Sequence, residues 1–266
     1  MATIGERVSI EIEDGVADVR MIRPEKMNAL DQPMFDALIE AGETLANHRG
    51  LRAVLLSGEG RAFCAGIDIA SLARTERAEE LSRLAARSHG DANSFQKAVL
   101  TWRDMAVPVI AAVHGIAYGG GFQLMLGADI RFVAPDAKLS VMEIRWGLAP
   151  DMAGTHLMRM LARADVVREL SFTGRVFSGE EALAYGFATR VCTDVRGEAL
   201  ALAREVALKS PDAIRAIKAL LKAAETSSRE EQLKAESELQ SRLISGRNHA
   251  EAVAAGLAKR APKFED

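Results

Sequence analysis

The stretch Val109-Ile110-Ala111-Ala112-Val113-His114-Gly115-Ile116-Ala117-Tyr118-Gly119-Gly120-Gly121-Phe122 carries the plan of the molecule. Five apolar residues in a row predict a strand buried on both faces. The glycines that follow predict a sharp turn, and the apolar segment Phe122 to Leu126 comes next. The same plan occurs earlier. Ala53-Val54-Leu55-Leu56 is a buried strand, Gly58 to Gly66 is a glycine-punctuated loop, and the unit ends at Ala62-Phe63-Cys64-Ala65-Gly66-Ile67-Asp68-Ile69. Two strand–glycine turn–apolar segment units, 53–69 and 109–126, are therefore expected.

Outward from these units the pattern alternates between strand and helix. Val8, Ile10 and Ile12 alternate with polar residues; Asp14-Gly15 then precedes Ala17, Val19 and Met21, which predicts a β-hairpin. Asp31 before Pro33, with Met34, Leu38, Ala41 and Leu45 at helical spacing, predicts a capped helix. A charged helical pattern runs from about Arg77 to Asp104 and stops before Pro108. Ile130 to Val133 and Ala188 to Cys192 read as strands. Ser178 with Glu181 and Ser228 with Glu231 have capping-box spacing. From Met152 onward helices dominate, and 198–259 contains no convincing strand. The expected class is α/β, with residues 1–195 as a core and 196–266 as a helical region.

A chain of 266 residues forms one large domain or two small ones at roughly 100–200 residues each. Its formal net charge of -3 supplies no footprint for nucleic acid and no polybasic membrane patch. No apolar run approaches the ~20 residues needed to span a bilayer. Met1 to Val8 contains charges and no apolar signal core, so a cytoplasmic location is expected. Cys64 and Cys192 are far apart and read as reduced thiols. His48, His89, His156 and His249 have no metal-ligand spacing. Ser140 and Ser171 lack a nucleophile elbow.

A free backbone N–H at a glycine turn or a helix N-terminus stabilises negative charge. Two such donors on one oxygen form an oxyanion hole, each worth roughly 2.7–4 kcal/mol in a transition state. Other glycine motifs do not fit: Gly58-Glu59-Gly60-Arg61-Ala62-Phe63 lacks the third dinucleotide glycine, and no Lys-Ser or Lys-Thr follows Gly121. Ala62–Ile69 and Val113–Leu126 resemble the two oxyanion-hole signatures of the crotonase (enoyl-CoA hydratase/isomerase) superfamily. Arg23-Pro24-Glu25-Lys26-Met27-Asn28-Ala29-Leu30 resembles its early coenzyme A loop, and Lys259 to Phe264 its C-terminal region, which often reaches a site on a neighbouring subunit.

The resemblance implies a ββα spiral core with a helical C-terminal trimerisation region, assembled as a homotrimer or dimer of trimers. It implies oxyanion donors at the N–H groups of Ile67 and Gly120. Coenzyme A contacts are implied at Met27, Ala29, Leu30, Ala65, Asp68, Ile69, Lys259 and Phe264. The substrate would be an acyl-CoA, with no cofactor beyond that coenzyme A and no metal. Asp68 is also expected to hold the oxyanion loop by accepting backbone N–H bonds, and His114 to support its own turn.

The hydratase pattern in this family has two glutamates. Here Gln123 stands at the first position and Glu143, in Val141-Met142-Glu143-Ile144-Arg145, at the second. Gln123 cannot exchange a proton at neutral pH, so it is expected to orient water or substrate. Glu143 can act as general acid or base if burial tunes it. Asp151, eight residues on, resembles the second acid of dienoyl-CoA isomerases, although it could equally cap the following helix. The expected function is enoyl-CoA hydration or double-bond isomerisation. A dienoyl-CoA or 3,2-enoyl-CoA isomerase is the alternative, and a catalytically weak CoA-thioester-binding protein is a third reading.

Overall fold

The computed structural model describes residues 2–72 and 82–266, with the side chains of 71 and 72 excluded. Its main sheet has seven strands in the order β1-β2-β3-β4-β5-β7-β9. They are β1 (Ala2–Ile4), β2 (Val8–Glu13), β3 (Val16–Met21), β4 (Ala53–Gly58), β5 (Val109–Val113), β7 (Ile130–Val133) and β9 (Arg190–Val191). The first three pair antiparallel and the rest parallel. The β2–β3 hairpin turns where expected. Asp14 and Gly15 both have positive φ, 49° and 78°, as a tight primed turn requires. Strands β4 and β5 lie inside the sheet and are buried from Ala53 to Leu56 and throughout Val109–Val113, as their unbroken apolar runs predict.

A second, smaller layer was not visible as a pattern. Strands β6 (Ile116–Tyr118) and β8 (Lys138–Ser140) pair in parallel. Isolated bridges extend this layer from Leu30 to Ile67, from Cys64 to Ala117 and from Leu139 to Phe177. Three-residue strands are too short to show a period, so only the tertiary pairing reveals them. Together these bridges join the two glycine turns and the 23–30 loop into one body.

Helix α1 (Gln32–Ala46) starts at Asp31, whose side chain accepts the Met34 N–H, with proline in the first turn. Helix α2 spans Ile69–Leu72. The expected long helix from 77 to 104 is interrupted: helix α3 is Ser94–Arg103 and opens with a full Asn93–Gln96 capping box. Gly90 has φ 72°, which no helix continues through, so the chain restarts at a new cap. The part of that stretch before residue 82 lies outside the described residues. Helix α4 (Gly120–Leu126) has all seven residues buried. Its Phe122 packs edge-on against Phe177 at 5.6 Å and Phe187 at 5.3 Å between ring centroids, each pair worth roughly 0.5–1.5 kcal/mol beyond area burial.

Downstream lie α5 (Gly154–Leu161), α6 (Ala164–Thr173), α7 (Gly179–Tyr185), α8 (Val195–Ala207), α9 (Pro211–Ala223), α10 (Arg229–Ile244) and α11 (Arg247–Leu257). The capping boxes at Ser178–Glu181 and Ser228–Glu231 are both present. Helix α8 straddles the expected 195/196 boundary and belongs to the core: Val195, Ala199, Ala203 and Ala207 are buried as it packs on β4, β5 and β7. The helical extension therefore begins at Pro211. Helix α10 has no buried residue within this chain. Cys64 and Cys192 are both free, and no described helix is long and apolar enough to cross a membrane.

Candidate active site

The two glycine turns meet at the carboxyl ends of β4 and β5. Cys64 N–H donates to Ile116 O at 3.0 Å and Tyr118 N–H to Cys64 O at 3.2 Å, which zips one turn to the other. Gly121 lies so close to Cys64 that an added Cβ would stand 2.2 Å from the Cys64 carbonyl oxygen. Only glycine permits that approach. The neighbouring positions carry the expected donors. Ile67 follows Gly66, and a Cβ on Gly66 would come within 3.5 Å of Gly120 N. Gly120 is the first residue of α4. Among the described residues neither the Ile67 nor the Gly120 N–H has a hydrogen-bond partner. The turn is pinned on both sides of Ile67, because Leu30 N–H donates to Gly66 O and Asp68 N–H donates to Leu30 O. Two unused amide donors are thus held at adjoining points, with Leu30 and Met152 packed against Gly120.

Glu143 stands on the other side of the same turn. It opens the 3-10 turn Glu143–Trp146 and is buried, with its Oε1 3.4 Å from the Cβ position of Gly119. Its Oε1 accepts from Gln123 Nε2 at 2.5 Å. Its Oε2 is buried without a hydrogen-bond partner. Burial pushes the Glu143 carboxyl above its ordinary value. Its own backbone N–H and Gln123 pull the other way, and the charge of Asp151 adds to the rise. A buried carboxylate with one unsatisfied oxygen beside two open amide donors has the parts of a proton acceptor next to an anion cradle.

The Gln123 side-chain oxygen is not open to the expected role of orienting water or substrate. It is 1% exposed, and its Oε1 accepts from Met152 N–H and Gly154 N–H, both at 2.9 Å. Both lone pairs face inward, so no acceptor remains for a water. Asp151 is exposed and does not cap α5. The N-cap there is Ala153, in the left-handed region at φ 64°, with no side-chain bond. The helix-cap reading of Asp151 is therefore corrected, while its field does reach Glu143.

The expected coenzyme A positions divide into two groups. Met27 is half-buried, Ala29 and Leu30 are buried, and Ala65 N–H donates to Met27 O at 2.9 Å, so this edge borders the oxyanion turn. Asp68 pairs with Arg23 at 2.8 Å and accepts the Ala70 N–H at 3.1 Å, which holds the loop as expected. Ile69 is exposed at the start of α2. Phe264 is not brought to this chain's own turns, and Lys259 follows α11 in the left-handed region at φ 50°. Phe264 O accepts from Arg52 at 3.1 Å, and Arg52 precedes β4, whereas the turns follow its other end, a strand length of about 20 Å away.

Asn28 was quoted in the early loop but assigned no role. It is fully buried, and its Nδ2 donates to Glu59 O, Ala62 O and Phe63 O at 3.0, 2.9 and 3.2 Å while its Oδ1 accepts the Arg23 N–H. Its left-handed backbone, φ 54° beside Met27 at 51°, favours asparagine, but that angle is set by the fold and leaves no mark in the sequence pattern. His114 bonds Gly60 O at 2.9 Å, so it braces the first glycine turn rather than its own, which corrects the expectation. Burial pushes the Cys64 thiol up to about 12, so it is an inert packing residue.

Comparisons with known proteins follow the same lines. The profile of the enoyl-CoA hydratase/isomerase family matches residues 11–266. The mitochondrial Delta(3,5)-Delta(2,4)-dienoyl-CoA isomerase of Homo sapiens is 35% identical over 76% of this chain. The chain spans 64% of the length of that relative. The 1,2-epoxyphenylacetyl-CoA isomerase of Escherichia coli is 32% identical, covering 97% of this chain and 98% of that protein. Among solved structures, an enoyl-CoA hydratase of Mycobacterium smegmatis superposes with a TM-score of 0.87 at 28% identity, covering 97% of this chain and 98% of that one.

Proposed function

The chain belongs to the enoyl-CoA hydratase/isomerase family, and from that premise we propose that it moves a proton on an acyl-CoA thioester through an enolate held by Ile67 and Gly120. The observation that carries the reading is the unpartnered, buried Oε2 of Glu143 beside the Gly119–Gly120 turn. The carboxylate takes a proton from the carbon next to the thioester carbonyl. The C–H electron pair becomes the carbon–carbon double bond of the enolate, and the charge passes to the carbonyl oxygen. That oxygen faces the two free amides, whose stabilisation is realised as charge develops. The carboxylic acid then returns the proton, and the amides release a neutral thioester. These steps draw on protein groups and the substrate's coenzyme A alone.

Asp151 supports an isomerase version. Asp151 is exposed and its charge raises the Glu143 carboxyl, which supports a role as second acid, delivering a proton at the far end of a conjugated system. Glu143→Gln is expected to lower turnover of 3-enoyl-, 2-enoyl- and dienoyl-CoA by at least about 100-fold with little change in melting temperature. Full activity in that variant would remove Glu143 from the chemistry. Tight coenzyme A thioester binding without turnover by the native protein would favour a binding role instead.

Self-association as a trimer or dimer of trimers is part of the same reading. Leu221, Leu233 and Leu257 on the C-terminal helices are 68%, 51% and 83% exposed, more apolar surface than an isolated helical extension needs to leave open. Light scattering on the purified chain would test it, a monomer refuting it. A cytoplasmic location is testable by cell fractionation.

A further inference from the structure

We propose that Arg23 is a positioning residue for the oxyanion site, a clip that fixes the aim of the Ile67 N–H by joining the 23–30 loop to the first glycine turn. The inference rests on the donor role of Ile67 proposed above and assigns the side chain that makes this donor rigid. Ile67 is held through its neighbours. Leu30 N–H donates to Gly66 O, Asp68 N–H donates to Leu30 O, and Leu30 forms an isolated parallel bridge with Ile67. The position of Leu30 therefore decides where the Ile67 amide points.

Arg23 spans this bridge. Its Nη1 donates to Ala29 O at 3.0 Å and lies 3.3 Å from Asp31 Oδ2, while its Nη2 lies 2.8 Å from Asp68 Oδ2. Ala29 and Asp31 flank Leu30, and Asp68 follows Ile67, so one guanidinium grips both sides of the bridge. The other end of the clip is anchored. Asp31 caps α1 by accepting the Met34 N–H, and it accepts from Arg7 Nε at 3.2 Å and Nη2 at 2.9 Å. Charges thus alternate along Arg7, Asp31, Arg23 and Asp68. Burial alone would raise the Asp31 carboxyl, but Arg7, the Met34 N–H and Arg23 hold it below its ordinary value. The side chains of Arg23, Asp31 and Asp68 are 11 to 13% exposed, so water and salt screen these contacts far less than a surface pair.

The sheet brings the four residues together. Strand β2 begins, and β3 and β4 end, at the same edge: Ile22 N–H donates to Arg7 O at 2.8 Å and Glu59 N–H to Met21 O at 2.9 Å. The arginine type matters. A planar fork reaches three acceptors at once, whereas a lysine is a point donor. An amide stabilises an oxyanion only where charge develops, and a misplacement of about 1 Å can cost on the order of 100-fold in rate.

The test uses the full chain and acetoacetyl-CoA, a thioester whose enolate absorbs in the near ultraviolet and reports the oxyanion site without turnover. Native protein should lower the pKa of the bound α-carbon relative to the free thioester. Arg23→Gln should raise it by about one unit and lower kcat for enoyl-CoA about 10- to 100-fold, with the Kd for free coenzyme A within about threefold. Arg23→Lys should fall between the two. If Arg23→Gln does not fold, Arg23→Lys and Asp68→Asn give the same reading. The double variant Arg23→Gln/Asp68→Asn should lose no more than about twofold beyond its weaker parent, because both changes open one clip. A merely structural role would lower the melting temperature and leave the enolate pKa of the folded protein where it was. That result, or losses that multiply in the double variant, overturns the inference. If native protein shifts the acetoacetyl-CoA ionisation and the Arg23 variants match it, only the inference fails. If native protein produces no shift, the oxyanion reading itself fails.

Discussion

The first glycine turn, residues 58–68, and the second, 113–121, present the same kind of amide donor but are held by different forces. The first is fastened by side chains. Asn28 donates to three of its carbonyls, His114 bonds a fourth, and Asp68 is clamped between Arg23 and the Ala70 N–H. The second is fastened by contact. Gly119 N–H donates to Ser140 O at 2.9 Å, Gly121 lies against the Cys64 carbonyl, and α4 behind it is wholly buried against aromatic rings. One donor is therefore placed by polar bonds that can be altered one at a time, the other by close packing that admits no side chain. Damage to the second turn should appear as lost folding and damage to the first as lost activity with graded destabilisation.

Gly121→Val is the severest test of that contrast. Its side chain must enter the space of the Cys64 carbonyl, and a loss of about 3 kcal/mol or more, visible as a large fall in melting temperature or as insoluble protein, is expected. A soluble, native-like variant would break the comparison. Asn28→Ala leaves three carbonyls of the first turn without a side-chain donor and should destabilise by about 2–4 kcal/mol in a urea titration, with kcat falling alongside. Asp68→Asn should leave stability within about 1 kcal/mol while lowering kcat/KM several-fold, because the loop that holds Ile67 loses its ion pair. An unchanged kcat/KM would show that packing alone positions this donor too.

The smallest effect concerns pH. The Glu143 carboxyl, raised by burial, must lose its proton to act as a base, so kcat should fall on acidification with a midpoint above the ordinary carboxylate value of 4.5. Asp151→Asn removes a like charge, which favours the ionised form and should move that midpoint down by a fraction of a unit. A midpoint that rises in this variant would contradict the field assigned to Asp151.

Much of the molecule was legible because its signals are local. The Asp14–Gly15 turn, the unbroken strands β4 and β5, the Asp31 cap and the two serine capping boxes depend on residues a few positions apart. The helix break before Asn93 was hidden because a charged helical pattern continues through Ser88-His89-Gly90, and one glycine is a weak stop signal. The membership of α8 in the core was hidden because its buried face, Val195, Ala199, Ala203 and Ala207, is mostly alanine and signals little hydrophobicity by itself.

By itself the sequence determined the two strand–turn units, the donors at Ile67 and Gly120 as candidates, and the replacement of one family carboxylate by Gln123. Tertiary structure alone decided what those residues touch. Gln123 joins Glu143 to Met152 and Gly154 across 20 to 31 positions of chain, Asn28 reaches 31 to 35 positions to Glu59, Ala62 and Phe63, and Phe264 docks near Arg52 rather than at this chain's turns. The reason is that a polar side chain's chemistry is written in its type, but its partner is chosen by which distant backbone the packed core brings within hydrogen-bonding reach.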